Sequence, residues 1–586
     1  MKSNRVPFFA SLVVLAASMI LVAGPGSMSS ARAQGLTPPV SLADPLRALP
    51  DSTAVCGSLL LQESDRAISR YVKNHPEVQS NARLQKTAWS FVVGSTHAWY
   101  AANFTNGTNY LTNSTCRAVG VNCYVFVEDS MWTTGRVTQS AVDSVMGAFD
   151  NHVPANPSKG VYQMDVDAFG NPPDVDNDPR IILFLLNIRD GFSGSGGYVG
   201  GYFTTRDQYN MQGSNLADIF YLDAYPQNLN SATGLRAAMS TTAHEFQHMI
   251  HFNYDHNDNE LTFLNEGCSL VAEVNCGYPI YDQSLFSSEP NHYLFDWRSD
   301  SINVVLKDYS RAARFTTYIR DRFGMGFFKG FVTNNTLHGI NGINAALTGY
   351  GVPDQFNDVI YGWFIANTLD NRSVDSTFGY VYPNLPQVKN TRFSTPVGAV
   401  GTYTVSKLAA QYLSFVGKNN FNFVATWADT AVKLRAVEIG TPSRVLPVTS
   451  GLEFSEPGYG TSYKTIYLVA MNTSPTTNLS LRIDSVSTTT VTPGSTLVPR
   501  STALLPSYPN PFNPETTIQF FLRDAGEISL RIYSIDGSEV VTLLQGWVPG
   551  GEHHVAWVPK GLASGVYICR LDADHQQFSR KIAYIK

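Results

Sequence analysis

The sequence predicts an α+β fold with a mixed sheet for residues 88–390, followed by all-β sandwich domains. Two apolar runs, at 180–187 and 219–222, have the length and the bounding turns of strands that are buried on both faces. Helical patterns fill most of 231–366. After residue 390 the composition changes to an alternation of Val, Thr and Tyr with turn residues, which is typical of half-buried strands.

The predicted elements follow in a simple order. Short β-rich runs come first, at 89–93, 98–102 and 123–127, and a helix at 137–149 precedes the two buried strands. Further helices are expected at 231–253, 266–274, 309–322, 340–347 and 356–366. The last module has predicted strands at 518–522, 528–533, 540–544, 554–557, 565–571 and 581–585. The Gly-rich stretch 194–201 lacks a phosphate-binding spacing and is expected to form a flexible cleft wall.

The amino-terminal residues have the pattern of a signal peptide. Lys2 and Arg5 precede an apolar run at 6–22, and the small residues Ala31 and Ala33 suit a signal peptidase, so cleavage is expected after residue 33. The alternative is an uncleaved membrane anchor, because the run is almost long enough to span a bilayer.

Composition changes divide the chain into six segments. The second of them is either a leader or propeptide, or simply the first part of the domain that follows. The segments are a signal peptide at 1–33, an N-terminal segment at 34–87, an α+β domain at 88–390, a β-sandwich at 391–486, a linker at 487–506 and a second β-sandwich at 507–586.

Charge and cysteine content limit the classes of function. With 41 Lys and Arg against 47 Asp and Glu the net charge is -6, and no basic tract occurs, so nucleic acid is not an expected partner. Six cysteines are too few for a disulfide scaffold, yet export favours some bridges, and Cys116 with Cys123 is the predicted disulfide. On one helix, Cys268 and Cys276 would lie ~12 Å apart, beyond the reach of a bridge.

The most informative motif is His-Glu-x-x-His at 244–248. His244 and His248 are four residues apart, so on a helix both imidazoles project from one face and can bind one metal ion. Glu245 would face the same cleft and could take a proton from water. The alternative is a pair of structural histidines in the core, but such residues would lie on the apolar stripe of the helix, and the two histidines lie opposite it. The stripe consists of Leu235, Met239, Thr242, Phe246 and Met249.

A catalytic zinc ion needs a third protein ligand and one open position. Glu266 is the best candidate, because it follows the second histidine by enough residues to leave one helix and begin another. His251 lies about 10 Å along the axis from the first histidine, so it is expected to line the cleft instead. Asp255 and Asp258, in the loop between the helices, remain open as alternatives.

A second group of carboxylates precedes the first buried strand. Asp174, Asp176 and Asp178 alternate on a turn, which places hard oxygen ligands close together and suits a calcium ion. Asp165 and Asp167 could add ligands. The turn lacks the Gly and the distal Glu of an EF-hand loop, so a solvated acidic turn is the alternative reading.

The histidine motif together with Asn-Glu-Gly at 265–267 resembles the gluzincin metallopeptidases, most closely the hyicolysin-like secreted ones. The resemblance covers roughly residues 88–390 and includes the acidic run at 173–180. It implies a zincin-like domain with a mixed sheet and a helical lower half. It also implies a zinc ion held by His244, His248 and Glu266.

The resemblance further implies Glu245 as general base and Tyr309 as the residue that stabilises the oxyanion. The chain departs from the thermolysin pattern at one position. Thermolysin-type enzymes have an Asp four residues after the ligand Glu, and this chain has Leu270 there. Glu273, two helical turns beyond Glu266, either replaces that carboxylate and orients a ligand histidine, or lies at the surface.

The last module resembles the sorting domains of the Por (type IX) secretion system. The likeness is carried by the Tyr-Pro-Asn-Pro-Phe-Asn-Pro opening at 508–514, by 563–567 and by the basic end at 580–586. It implies the outer-membrane secretion machinery as a partner. An accessory β module without a sorting role is the alternative.

Taken together, the motifs predict a secreted zinc metalloendopeptidase that acts on proteins or peptides at or outside the surface of a bacterium. Two alternatives remain open. One is a zinc hydrolase that uses the same ligands on a non-peptide amide or ester. The other is an inactive surface adhesin that keeps the fold.

Overall fold

The structure is a computed structural model that describes residues 53–76, 78, 89–256, 260–298, 302–334, 336–417, 421–485, 502–505, 507, 509–549, 551–573 and 576–586. The predicted signal peptide at 1–33 lies outside the described residues, as do 34–52, 79–88 and most of the predicted linker. Among the helices that are described, none is long and apolar enough to cross a bilayer.

Helices and strands are mixed up to residue 223, the described elements from 232 to 369 are all helices, and strands dominate beyond them. The helices are α1 (Gly57–Asn74), α2 (Asp129–Thr133), α3 (Gln139–Asp150), α4 (Val161–Phe169), α5 (Ala232–Tyr254), α6 (Thr262–Asn275), α7 (Gln283–Ser287), α8 (Ile302–Phe323), α9 (Met325–Val332), α10 (Gly339–Gly349) and α11 (Phe356–Leu369). The strands of the first part are β1 (Ala54–Cys56), β2 (Thr96–Asn103), β3 (Thr108–Val119), β4 (Cys123–Glu128), β5 (Ile181–Leu186), β6 (Tyr198–Tyr202) and β7 (Ile219–Asp223).

A seven-stranded mixed sheet organises the first part, with the strand order β1-β6-β7-β5-β4-β3-β2. The strand β5 lies at its centre, runs parallel to both neighbours, and has all six residues buried. This agrees with its continuous apolar sequence, because a strand that is covered on both faces has no face exposed to solvent. The predicted α+β class with a mixed sheet is confirmed.

Two predicted features of this part are wrong. Residues 89–93 form no strand, because Trp89 and Phe91 bury their rings against each other and against Trp99 without joining a ladder. The Gly-rich stretch is not a flexible wall throughout, since its second half is the buried strand β6. Gly201 is needed there because a Cβ atom would lie 2.6 Å from Thr241 Cγ2 on α5.

The predicted disulfide is not confirmed, since all six described cysteines are free and buried. The strands β3 and β4 pair so that Cys116 faces Phe126, three residues along the strand from Cys123. The Cys116 thiol donates to the Ala118 carbonyl at 3.3 Å. As expected, Cys268 and Cys276 lie far apart along one helix, the second of them at its end.

Two all-β units follow the helical part. In the first, a five-stranded sheet (β13-β12-β15-β10-β8) and a four-stranded sheet (β14-β11-β16-β9) enclose a common core. The outer face of the larger sheet packs on α11, where the Tyr412 hydroxyl donates to the Phe364 carbonyl at 2.9 Å. Its strands are β8 (Thr391–Phe393), β9 (Gly401–Val405), β10 (Ala409–Val416), β11 (Phe421–Thr426), β12 (Val432–Gly440), β13 (Arg444–Val448), β14 (Glu453–Glu456), β15 (Tyr463–Asn472) and β16 (Leu479–Ser485).

The second unit consists of a three-stranded sheet (β17-β18-β21) and a four-stranded sheet (β20-β19-β22-β23) around its own core. Its first strand pairs with β18 although it lies within the predicted linker. The strands are β17 (Ala503–Leu504), β18 (Thr516–Leu522), β19 (Gly526–Tyr533), β20 (Glu539–Val548), β21 (Gly551–Trp557), β22 (Gly565–Ala573) and β23 (Gln576–Tyr584).

Truncating the central strand tests the role of the large sheet. Phe184→Ala on β5 is expected to lower the free energy of unfolding by about 3–5 kcal/mol, because the side chain is fully buried and its removal leaves a cavity. Val121→Ala, whose side chain is 75% exposed, is the control and is expected to change it by less than about 0.5 kcal/mol. Guanidinium denaturation measures both, and equal stabilities would contradict the assignment.

Candidate metal centre

Helix α5 carries the histidine motif through the middle of the first part. Its first turn is capped by the Ser231 hydroxyl, which accepts a hydrogen bond from the Gly234 amide. Phe246 lies on the core side, with its ring 5.1 Å from that of Phe149. The opposite face, with both histidines, is buried as well. The helix is covered on both sides because α6 and the segment 54–58 pack over the histidines.

The structure brings the three predicted ligands together. Glu266 lies in the second turn of α6, which begins at Thr262, earlier than predicted. Its Oε2 atom is 3.3 Å from His244 Nε2 and 3.7 Å from His248 Nε2. Gly267 allows α6 to pack closely on α8, because a Cβ atom there would lie 2.7 Å from Thr316 Cγ2.

Hydrogen bonds on the far side of each imidazole fix its orientation. His244 Nδ1 lies 2.7 Å from Glu273 Oε1, and His248 Nδ1 lies 2.9 Å from Asn265 Oδ1. Both oxygens accept, so each Nδ1 carries a proton, and each Nε2 faces Glu266. Of the two alternatives for Glu273, the structure shows the first: its carboxylate hydrogen-bonds to His244 and orients the ring.

This arrangement calls for a positive charge between the three side chains. His244 Nε2 and Glu266 Oε2 are buried and have no hydrogen-bond donor. Burial lowers the pKa of both imidazoles, but Cys56 and Glu266 outweigh it and raise each pKa well above 6.5. For Glu266 burial raises the pKa, yet the two imidazoles lower it to about 2. Two nitrogen donors and one carboxylate are a donor set that zinc binds, so the residues fit this ion.

The cluster contains a fourth side chain, Cys56, which the sequence did not predict. One donor atom from each of Cys56, His244, His248 and Glu266 lies within 4.8 Å of the others. The Cys56 Sγ atom is 3.6 Å from His248 Nε2. No motif spacing could have revealed this cysteine, because 192 residues separate it from that histidine.

The remaining predicted residues of the site lie around this cluster. Glu245 is fully buried, and burial raises its pKa. Tyr309 lies on α8, and its buried hydroxyl has no hydrogen-bond partner. Burial raises its pKa well above 10, and the negative charge of Glu266 raises it further.

His251 and Asp255 are not members of the cluster. They line a small cavity of about 60 Å³ next to His248 and Glu266, as expected of a cleft-lining histidine. Burial lowers the pKa of His251 to about 4. Asp255 accepts a hydrogen bond from the Glu260 amide at 2.9 Å. Asp258, the other alternative ligand, lies outside the described residues.

The predicted calcium turn is partly reorganised. Asp174 and Asp176 come within 4.8 Å of Asp218, which immediately precedes β7 and was not predicted. Asp218 is fully buried, and burial and the charge of Asp176 raise its pKa well above 3.8. It reaches the turn because its carbonyl pairs with the first residues of β5, a contact made by the sheet and not by sequence spacing.

The other acidic candidates are not members of this cluster of three carboxylates. Asp178 accepts a hydrogen bond from the Tyr124 hydroxyl at 2.8 Å. Asp167 forms an ion pair with Lys159 at 2.8 Å. Asp165 is buried on α4, and burial raises its pKa well above 3.8.

Comparison with known proteins agrees with this site. The neutral metalloprotease ShpI of Staphylococcus hyicus is 27% identical over 267 residues, which are 42% of this chain and 56% of that protein. The chain is similar to a metalloprotease. It spans little more than half the length of this relative.

The comparisons also cover the second β unit. Residues 507–586 match the family described as the secretion system C-terminal sorting domain, with the same bounds as the predicted module. Among solved structures, the apo structure of Bacteroides uniformis beta-glucuronidase 3 matches 38% of this chain and 32% of its own at 10% identity, with a TM-score of 0.12. That score supports no inference about the fold.

The Glu273 hydrogen bond can be tested by mutation. Glu273→Ala is expected to weaken zinc binding about 10–100-fold, because His244 loses the carboxylate that orients it. Competition with a chromogenic chelator measures the affinity. Glu527→Ala, exposed on β19, is the control and should bind zinc as the native chain does. An unchanged affinity in Glu273→Ala would show that the hydrogen bond does not support metal binding.

Proposed function

We propose that this chain is a secreted zinc-dependent metalloendopeptidase in which His244, His248 and Glu266 hold the zinc ion. The observation that carries the proposal is that the Nε2 atoms of both histidines face the buried Glu266 carboxylate, at 3.3 and 3.7 Å. The similarity to a neutral metalloprotease supports the same chemistry. A set of three protein ligands leaves one coordination position for water or substrate, as catalytic zinc sites require.

Glu245 acts as the general base. When bound, a zinc ion supplies Lewis-acid chemistry, which makes water more acidic at neutral pH and polarises a carbonyl group. Glu245 follows the first ligand on α5, and its Oε1 atom is buried without a partner. Burial raises its pKa, which strengthens it as a proton acceptor. It takes a proton from the attacking water and delivers it to the leaving amine.

Tyr309 supplies the hydrogen bond to the oxyanion. Its hydroxyl is buried on α8 without a hydrogen-bond partner, and the negative charge of Glu266 raises its pKa. Its high pKa keeps the phenol protonated at neutral pH, as a donor to a developing negative charge must be. The rings of Tyr281 and Trp297 pack against the Tyr309 ring and hold it in place.

The C-terminal module directs the protein to its place of action. The match of 507–586 to a sorting-domain family supports recognition of this module by a secretion machinery in the outer membrane. An N-terminal signal peptide would carry the chain across the inner membrane first. Proteins or peptides outside the cell are then the substrates.

Glu245→Gln separates metal binding from catalysis. The variant is expected to bind one zinc ion per chain but to lose about 10²–10⁴-fold in casein hydrolysis, because glutamine cannot accept the proton. Zinc is measured by atomic absorption. Since Cys56 lies within the donor cluster, the assay compares the substitution in the native chain and in a Cys56→Ala background.

Controls distinguish the proposed function from its alternatives. Glu453→Gln, exposed on β14, should behave as its parent does, and a chelator should abolish cleavage. Cleavage that survives both the chelator and Glu245→Gln would contradict the mechanism. Zinc binding without casein cleavage in either background would favour a hydrolase of other amides or esters, and absence of zinc would favour an adhesin.

We also propose that Asp174, Asp176 and Asp218 bind calcium. Three carboxylates this close repel one another, and a cation with a preference for oxygen ligands would offset the repulsion. Calcium at about 100 times its Kd is expected to stabilise the fold by about 2.7 kcal/mol, and Asp218→Asn to lose this effect. Calorimetry in calcium, magnesium and EGTA measures it, with exposed Asp143→Asn as control. An identical Tm in calcium and EGTA would contradict the proposal.

A further inference from the structure

Residues 53–58 lie beside strand β6, where a peptide substrate would be expected to lie. Strand β1 pairs in parallel with β6, with Ala54 opposite Tyr198 and Val55 opposite Val199. The pairing begins one residue earlier, where the Tyr198 amide donates to the Thr53 carbonyl at 2.9 Å. Addition of an extended segment to a sheet edge is a common way for proteins to bind peptides. Here the chain itself supplies the edge strand, β1, beside β6.

The segment places a sulfur atom at the metal ligands. Cys56 is buried at the end of β1, and its Sγ atom is 3.6 Å from His248 Nε2. With His244 and Glu266 it makes up a set of four potential ligands within 4.8 Å. Four protein ligands are the mark of closed zinc sites, whereas catalytic sites keep one position for water.

The next residues cover the general base. The Ser58 hydroxyl lies 3.0 Å from Glu245 Oε2 and can donate to it. The Ser58 oxygen also accepts a hydrogen bond from the Phe203 amide, just beyond β6, at 2.9 Å. Gly57, between Cys56 and Ser58, is required because a Cβ atom there would lie 2.6 Å from Val199 Cγ1 on β6. Cys-Gly-Ser therefore fits the ligands, the strand β6 and the base at the same time.

Helix α1 is held against the neighbouring elements by hydrogen bonds. The Gln62 amide donates to the Thr262 hydroxyl on α6 at 2.7 Å, and Asp65 accepts from the Thr204 hydroxyl at 2.9 Å. The first residues of α1 line a cavity of about 390 Å³, and Ser58, Gln62 and Asp65 line the cavity of about 60 Å³ beside His248. The segment that follows β1 therefore forms part of the wall of both cavities.

We propose that residues 54–74 are a built-in inhibitor of the zinc peptidase, in which the Cys56 thiolate fills the fourth coordination position and Ser58 blocks Glu245. The inference rests on the proposed function and assigns the regulation of the same site. Release would require the segment to leave β6, so that the coordination position that Cys56 would fill becomes open to water or substrate. The chain is consequently made in a latent form.

X-ray absorption at the zinc edge tests the coordination directly and does not depend on activity. The full chain loaded with one zinc ion is expected to show one sulfur ligand at about 2.3 Å beside nitrogen and oxygen ligands at about 2.0–2.2 Å. Cys56→Ala should lose the sulfur, whereas Ser58→Ala and Cys569→Ala should keep it. A native site with bound zinc but no sulfur would overturn the proposal and leave the proposed function untouched.

Casein hydrolysis tests the inhibition. Cys56→Ala is expected to cleave casein at least about tenfold faster than the native chain, because rate scales with the fraction of molecules whose site is open. Cys569→Ala, in the core of the C-terminal module, is the matched control and should match the native rate. Equal rates for native chain and Cys56→Ala would overturn the inhibitor alone. A sulfur ligand with no cleavage by either would indicate a closed structural site and contradict the peptidase as well.

Discussion

One electrostatic contact organises the first part of the molecule: two imidazole nitrogens and a carboxylate meet in a buried place. Glu273 and Asn265 occupy the other nitrogen of each ring, so neither ring can turn away. Burial strengthens every one of these interactions because little water remains to screen them. The buried carboxylate needs a neighbouring positive charge, which protonated imidazoles or a bound cation can supply.

The elements around the site pack closely against one another. Glycines lie where α5 meets β6 and where α6 meets α8, since a larger residue at either point would hold the two elements apart. The proposed ligands, and the side chains that hydrogen-bond to the two histidines, come from two packed helices and not from loops. A site built on packed helices keeps its geometry to within the small displacements that metal coordination tolerates.

The strand β6, next to the edge strand β1, links the proposed catalysis with its proposed control. A peptide substrate and the segment 54–58 would use the same backbone groups, and the Cys56 thiolate and a water molecule would use the same coordination position. Occupation by one excludes the other. Latency then needs no separate regulatory domain, only a stretch of the chain whose sequence suits the ligands, the strand and the base together.

The sequence alone determined the features that depend on local spacing: the helix that puts His244 and His248 on one face, the buried strand β5, and the extent of the C-terminal module. These follow from periodicity, which short stretches of chain express by themselves. Tertiary structure alone decided the entry of Cys56 and Asp218 into the two clusters, the role of Glu273, and the strand in the Gly-rich stretch. Such contacts join residues distant in sequence through sheet pairing and helix packing, and nothing in their local sequence specifies the partner.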